Sequence, residues 1–101
     1  MTTERELSEI VEDILVERPN GEASIADLIH EIPKRINLTE ADYKPSLTRP
    51  NEAIWEQRVR NITSHQNTST NFIRRGYLEP TNGGLRITDA GRMHQKARHA
   101  K

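Results

Sequence analysis

The sequence predicts a single α+β domain built from a bundle of three helices, a C-terminal two-stranded β-hairpin and a short final helix. Two observations support this prediction. Apolar residues recur at helical spacing in successive segments before residue 75, and two short strand-like runs flank a turn at Asn82-Gly83. A chain of 101 residues can bury one modest core. We expect this core over about residues 4–95, with residues 96–101 frayed.

A first helix is predicted between residues 4 and 18 from the spacing of its apolar side chains. They recur at the i, i+3, i+4, i+7 and i+8 positions of one helical face, and they are Leu7, Ile10, Val11, Ile14 and Leu15. Glutamates near the N-terminal end of this segment interact favourably with the helix dipole. The tripeptide Pro19-Asn20-Gly21 then ends the helix.

A second helix is predicted after Ser24, which with Asp27 three residues later resembles a capping box. Pro33 ends or kinks this helix. Ile25 belongs either to the helix or to a strand of one or two residues before it. Residues 37–51, which contain two prolines and few apolar side chains, predict a loop.

A third helix is predicted to begin near Asn51, with one apolar and one polar face. Val59 and Ile62 lie within about 40° of Trp55 on a helical projection, and the three residues predict the face in the core. The opposite bearing collects Gln57, Arg60, Asn61, Ser64, Asn67, Thr68, Asn71 and Arg75. Residues 63–71 have low helix propensity. The helix therefore either continues to residue 75 or breaks near Asn67, before a second short helix that runs to Arg74.

A β-hairpin and a final helix complete the predicted order of elements. Residues 77–79 and 85–88 have strand-like composition and flank an Asn-Gly turn, which is typical of tight hairpins. Thr88 or Asp89 caps the last helix. The order helix, helix, loop, helix, hairpin, helix is that of a winged helix.

Residues 50–92 also resemble the C-terminal part of the winged-helix domains found at the N-terminus of Mrr-type restriction endonucleases. The resemblance rests on Trp55, Arg58, Gly76, Tyr77, Leu78, Gly83, Gly84, Ile87, Thr88, Gly91 and Arg92. It implies binding of double-stranded DNA, with the helix before the hairpin as recognition helix and the hairpin as the wing. Because no nuclease domain follows Lys101, we expect either a free-standing domain or a fragment.

The net charge of zero hides a strong asymmetry along the chain. Residues 1–42 hold eleven acids and four bases, whereas residues 43–101 hold eleven bases and four acids, so their charges are −7 and +7. No carboxylate occurs between Gln57 and Leu78. This segregation indicates a negatively charged partner for the basic part, unless folding brings acids back onto that surface.

We predict that a DNA-binding surface combines the polar face of the third helix with the arginines around the hairpin. Asn and Gln can bond adenine edges in a major groove, and Arg can bond guanine or phosphate. The predicted contacts are Gln57, Arg58, Arg60, Asn61, Ser64, Asn67, Asn71, Arg74, Arg75 and Arg86. The alternatives are a solvated helix face and, for Arg74 and Arg75, an interaction with the dipole of the helix that they end.

Other classes of protein are disfavoured by the sequence. The chain has no cysteine, so it has neither a disulfide nor a cysteine-based metal site. No apolar run is long enough for a membrane span, and the acidic N-terminus does not resemble a signal peptide, so we predict a cytoplasmic protein. Asp42-Tyr43-Lys44 imitates the Asp-x-Lys of restriction nucleases but lies in a predicted loop, and the four histidines lack metal-ligand spacing. We therefore predict no enzymatic activity, no metal and no cofactor.

The main alternative to DNA binding is a protein-interaction module. In that hypothesis the same fold forms a homodimer, or binds another protein, through the acidic N-terminal helix and the apolar stripe of residues 7–15. Binding to random duplex that does not weaken steeply with salt would favour this alternative.

Overall fold

Four α-helices and a three-stranded antiparallel sheet form the α+β fold in the computed structural model, which describes residues 1–100. The elements in chain order are α1 (Glu4–Leu15), β1 (Glu22–Ser24), α2 (Ile25–Glu31), α3 (Ile54–Ser64), β2 (Leu78–Thr81), β3 (Gly84–Ile87) and α4 (Asp89–His99). Two short 3₁₀ turns, Pro19–Gly21 and Ile32–Lys34, follow α1 and α2. The predicted α+β class is confirmed.

The core forms where α1, α2 and α3 meet the inner face of the sheet. Thr3 caps α1 through a capping box with Glu6, and the apolar stripe of α1 then points inward. The buried apolar residues are Leu7, Val11, Ile14, Leu15, Leu28, Ile32, Trp55, Val59, Ile62, Phe72, Leu78, Leu85 and Ile87. The predicted core position of Trp55 on the same face as Val59 and Ile62 is confirmed.

The sheet has the strand order β1-β3-β2, with both neighbouring pairs antiparallel. The very short strand considered at Ile25 lies instead at Glu22–Ser24, and Ile25 begins α2. The Ile25 N–H donates to the carbonyl of Gly83 at 3.0 Å, so the hairpin turn is bonded to the start of α2. A Cβ on Gly84 would overlap the Ala23 carbonyl, which explains a glycine where β3 meets β1.

The third helix is shorter than predicted at both ends. It begins at Ile54, not near Asn51, because residues 44–53 close into a loop in which the Ile54 N–H donates to the Lys44 carbonyl at 2.8 Å. It ends at Ser64, and residues 65–77 form turns and bends. The predicted continuation to residue 75, and the second short helix to Arg74, are therefore both wrong.

The last helix continues past residue 96, where fraying was expected, to His99. The Thr88 hydroxyl accepts the Gly91 N–H and caps its N-terminus, as predicted. Arg98 is largely buried against α1, which ties the final turn of α4 to the core. Only Lys101 lies outside the described residues.

Candidate nucleic-acid interface

The side of α3 that faces away from the core carries four of the predicted DNA contacts. Gln57, Arg60, Asn61 and Ser64 lie opposite the buried residues of this helix. The Gln57 amide nitrogen donates to the side-chain oxygen of Asn61 at 3.0 Å, so the two amides form one hydrogen-bonded pair. Ser64 is exposed, whereas Gln57, Arg60 and Asn61 are half-buried. The structure thus brings these residues together, partly shielded from solvent.

The shielding comes from residues 46–49, which lie across the N-terminal half of α3. The Thr48 hydroxyl contacts the side-chain oxygen of Gln57 at 3.4 Å. An open cavity of about 250 Å³ is lined by Ser46, Leu47, Thr48, Ile54, Gln57, Arg58 and Asn61. A second open cavity, of about 260 Å³, is lined by Ile25, Arg49, Arg60, Thr63, Thr81, Gly83 and Gly84. The sequence contained no local signal for this crossing, because its contacts join a loop to a helix.

Two of the predicted DNA contacts, Arg60 and Arg86, are held by carboxylates. Arg60 donates to Glu52 at 2.8 Å. Arg86 on β3 donates to Glu79 on β2 at 2.6 Å and to Glu22 on β1 at 3.0 Å, so it joins all three strands. These hydrogen bonds raise the pKa of Arg86 further above its usual value. Arg86 lies on the hairpin, as predicted, but two carboxylates hold its side chain.

Asn71 was predicted to face solvent on the polar side of a helix, and this prediction is wrong. Its residue is only 5% exposed. The amide nitrogen donates to the carbonyl of Ile62 at 2.8 Å, and the amide oxygen accepts the N–H groups of Ile73 and Arg74 at 2.7 and 3.2 Å. Such side-chain bonds compete with helical ones, and here they end α3 and turn the chain so that Phe72 reaches the core.

The remaining predicted contacts lie on exposed or partly exposed positions. Residues 64–70 are all exposed, including Asn67. Arg74 and Arg75 follow on the turn that Asn71 stabilises, and both are exposed. Arg58 is half-buried, and its Nη1 atom is buried without a hydrogen-bond partner. An unpaired buried donor of this kind is uncommon in folded proteins.

Some lysines and arginines of residues 1–100 are paired with a carboxylate, and the others are not. Every Lys and Arg in residues 1–42 is within 4.0 Å of a carboxylate. The cations without such a partner are Lys44, Arg49, Arg58, Arg74, Arg75, Arg92 and Lys96, all from the basic part of the chain. Folding therefore leaves the free positive charge in the part that the charge asymmetry indicated.

Much of the acidic charge of α1 is neutralised inside the molecule. Glu12 is fully buried and contacts His94 at 2.9 Å and Arg98 at 3.0 Å on α4. Asp13 contacts Arg98 at 2.9 Å and His99 at 2.9 Å. Burial raises the pKa of Glu12 despite these partners, whereas the hydrogen bonds from His99, Gln95 and Arg98 outweigh burial and lower the pKa of Asp13. The acidic and basic parts of the sequence are thus partly complementary within one molecule.

Asp42, which in sequence imitates a nuclease motif, has a structural role in the fold. It is fully buried and accepts four hydrogen bonds at 2.8–3.1 Å from the N–H and hydroxyl groups of Thr2 and Thr39. Burial alone would raise the pKa of Asp42, but these bonds lower it from 3.8 to about 2. The spacing of Thr39 and Asp42, three residues apart, was the available signal for a local side-chain turn.

The part of the chain that the structure describes, residues 1–100, has no group of three acidic, histidine or cysteine side chains placed to hold a metal ion. None of its helices combines the length and the apolar character that crossing a membrane requires. No protein-family model, curated protein or solved structure matches the chain.

Proposed function

We propose that this chain is a winged-helix domain that binds double-stranded DNA through α3, the turn that follows it and the loop that crosses it. The order of the elements and the β1-β3-β2 sheet support the winged-helix arrangement. The hairpin turn is bonded to the start of α2 rather than projecting from the body. We therefore assign the phosphate contacts to cations outside the hairpin, among them Arg74 and Arg75.

The observation that carries this proposal is the chemistry of residues 64–75. This segment displays hydroxyls, amides and two exposed arginines, it contains no carboxylate, and within residues 1–100 neither arginine has an acidic partner. Solvated protein surfaces ordinarily mix both signs of charge. Glu4 meets the segment at His65, at 2.8 Å. Apart from this contact with Glu4, the segment offers a polar and cationic surface, which is complementary to the phosphate backbone.

The proposed interface differs from the one predicted from sequence. Base edges are assigned to Gln57, Asn61, Ser64 and Asn67, whose amides and hydroxyl can donate and accept in a major groove. Phosphates are assigned to the unpaired cations on or beside these elements, which are Lys44, Arg49, Arg58, Arg74 and Arg75. Arg60 and Arg86 are left out because carboxylates hold them, and Asn71 because it is buried.

A salt series with two matched charge reversals tests the proposal. Fluorescence anisotropy would measure binding to a labelled random-sequence duplex by the unaltered protein, by Arg75→Glu and by Lys96→Glu. Lys96 is also exposed and unpaired within residues 1–100, but it lies on α4. We expect log affinity to fall linearly with log salt, and Arg75→Glu to reduce that slope by about one unit while Lys96→Glu preserves it. Salt-independent binding, or equal effects of the two reversals, would contradict the proposal.

The rival protein-interaction hypothesis loses its apolar contact in this structure. Leu7, Val11, Ile14 and Leu15 are completely buried in the core, so they are not free to bind another chain. The buried carboxylate of the same helix, Glu12, is engaged by α4. Sedimentation of the chain over a range of concentrations would support the rival if a dimer formed without DNA.

A further inference from the structure

The loop of residues 44–53 is closed by hydrogen bonds among its own residues. The Ser46 N–H donates to the Glu52 carbonyl at 2.8 Å, and the Ser46 hydroxyl accepts the N–H groups of Thr48 and Arg49 at 3.3 and 3.2 Å. Pro45 and Ala53 form an isolated antiparallel bridge where the loop closes. The tip of the loop is therefore presented at a defined place beside α3.

Leu47 lies at this tip, and its residue is 99% exposed. An isolated exposed leucine on a surface is ordinary. The surroundings of Leu47 are not ordinary, because it lines the same cavity as Gln57, Arg58 and Asn61, three side chains of the proposed interface. An apolar group therefore stands next to the amides to which we assign base edges.

The charge around Leu47 favours a polyanionic partner over an apolar protein surface. Residues 43–51 contain Lys44 and Arg49 and no carboxylate. Both cations are exposed, and within residues 1–100 neither is in an ion pair. A loop that presents two exposed cations and one exposed apolar side chain is complementary to a groove that has phosphates at its edges and an apolar group on its floor.

We infer that Leu47 contacts the C5-methyl group of a thymine in the major groove, beside the bases that Gln57 and Asn61 meet. The thymine methyl is the apolar group that an unmodified base pair presents on its major-groove edge. The inference rests on the proposed DNA binding and adds a residue that determines sequence preference. Removing one methyl group from such a contact weakens binding about fourfold.

Replacement of thymine by deoxyuridine removes that methyl group and leaves base pairing intact. Duplexes would first be selected from a random-sequence pool by the unaltered protein. One selected duplex would then be resynthesised with deoxyuridine at one thymine at a time. Affinities would be measured for the unaltered chain, for Leu47→Ala, and for Leu47→Met, which keeps an apolar side chain of similar size. Because Leu47 is exposed, circular dichroism should show that all three chains are folded.

The expected result is one thymine position at which deoxyuridine weakens binding about fourfold. The loss should occur for the unaltered chain and Leu47→Met, but not for Leu47→Ala. If the selected duplex binds and no thymine is sensitive, or if Leu47→Ala shows the same sensitivity, the inference is overturned while the proposed function stands. If the pool binds in a salt-sensitive way but no sequence is enriched, the inference is likewise overturned and the proposed function stands. Failure to bind the pool at all overturns both.

Discussion

Asp42 joins three parts of the chain that are distant in the sequence. Its carboxylate accepts bonds from Thr2 before α1 and from Thr39 in the long loop. Its backbone carbonyl accepts the N–H of Trp55 in the first turn of α3, at 3.2 Å. A carboxylate that accepts several N–H and O–H bonds favours its charged form even when buried. Asp42 therefore fixes the place at which the proposed recognition helix begins.

Asp42→Asn should lower the free energy of unfolding by about 2 kcal/mol at neutral pH, since the amide replaces an acceptor oxygen with a donor that faces other donors. The pKa of Asp42 is lowered in the fold to about 2, below its unfolded value of 3.8. Its contribution is therefore complete above the unfolded value and is lost as pH falls from about 4 to about 2. Urea unfolding at a series of pH values would measure this dependence.

Glu40→Gln provides a matched control, because Glu40 is an exposed carboxylate two residues earlier. We expect this control to unfold like the unaltered chain at neutral pH. Equal stability of the Asp42 variant and the control would show that the buried carboxylate does not hold the loop.

Helix α4 is positioned by Thr88 and Gly91 at its N-terminal end and by a cluster of charged residues around Arg98 near its C-terminal end. Thr88 caps the helix, and a Cβ at Gly91 would overlap the Tyr77 carbonyl, so the glycine lets α4 approach the start of the hairpin. The His94 ring then stacks on Tyr77 with ring centres 4.0 Å apart. One turn later, Arg98 meets Glu12 and Asp13 on α1. Thr88 and Gly91, two of the residues on which the sequence resemblance rests, therefore have structural roles in this chain.

Arg98→Ala should lower the free energy of unfolding by about 3 kcal/mol, because it leaves the buried Glu12 without its guanidinium partner. Lys96→Ala is the matched control on the same helix, since Lys96 is exposed and lacks an ion pair within residues 1–100. Denaturant unfolding would measure both. Similar stability of the two variants would mean that the end of α4 contributes little to the fold.

Folding of the whole chain decides which lysines and arginines have a carboxylate partner and which do not. The sequence separates charges of −7 and +7, but α1 meets α4, and Glu22 meets Arg86, across the fold. Exposed ion pairs contribute little to stability individually. The main consequence of these ion pairs is that a paired arginine is a poor phosphate contact. The carboxylate already accepts hydrogen bonds from the guanidinium, and its negative charge repels the phosphates of DNA.

Arg86→Gln should therefore leave DNA affinity and its salt dependence unchanged, whereas Arg75→Gln should weaken binding and reduce the salt slope by about one unit. The same anisotropy titrations would measure both variants, which remove equal charge. A reduced slope for Arg86→Gln would restore the hairpin to the interface.

The sequence could predict α1, α2, the hairpin and the cap of α4, because apolar spacing, Ser24, Asn82-Gly83 and Thr88 act within a few residues of where they stand. It could not predict the end of α3, because Asn71 acts on the carbonyl of Ile62 nine residues earlier. Nor could it place the loop on α3, where Thr48 meets Gln57. Among the ten predicted contacts, Asn71 is misplaced for this reason, and the carboxylate partners of Arg60 and Arg86 could not be predicted either.

Local patterns by themselves determined the α+β class, the order of the main elements and the acid-free basic segment, since these depend on backbone preference and on which side chains occur. The tertiary structure alone decided which arginines are paired with a carboxylate, that the amide of Asn71 is buried, and that Leu47 lies beside α3. Ion pairs and burial depend on distances between residues far apart in the chain, and those distances exist only after the chain has folded.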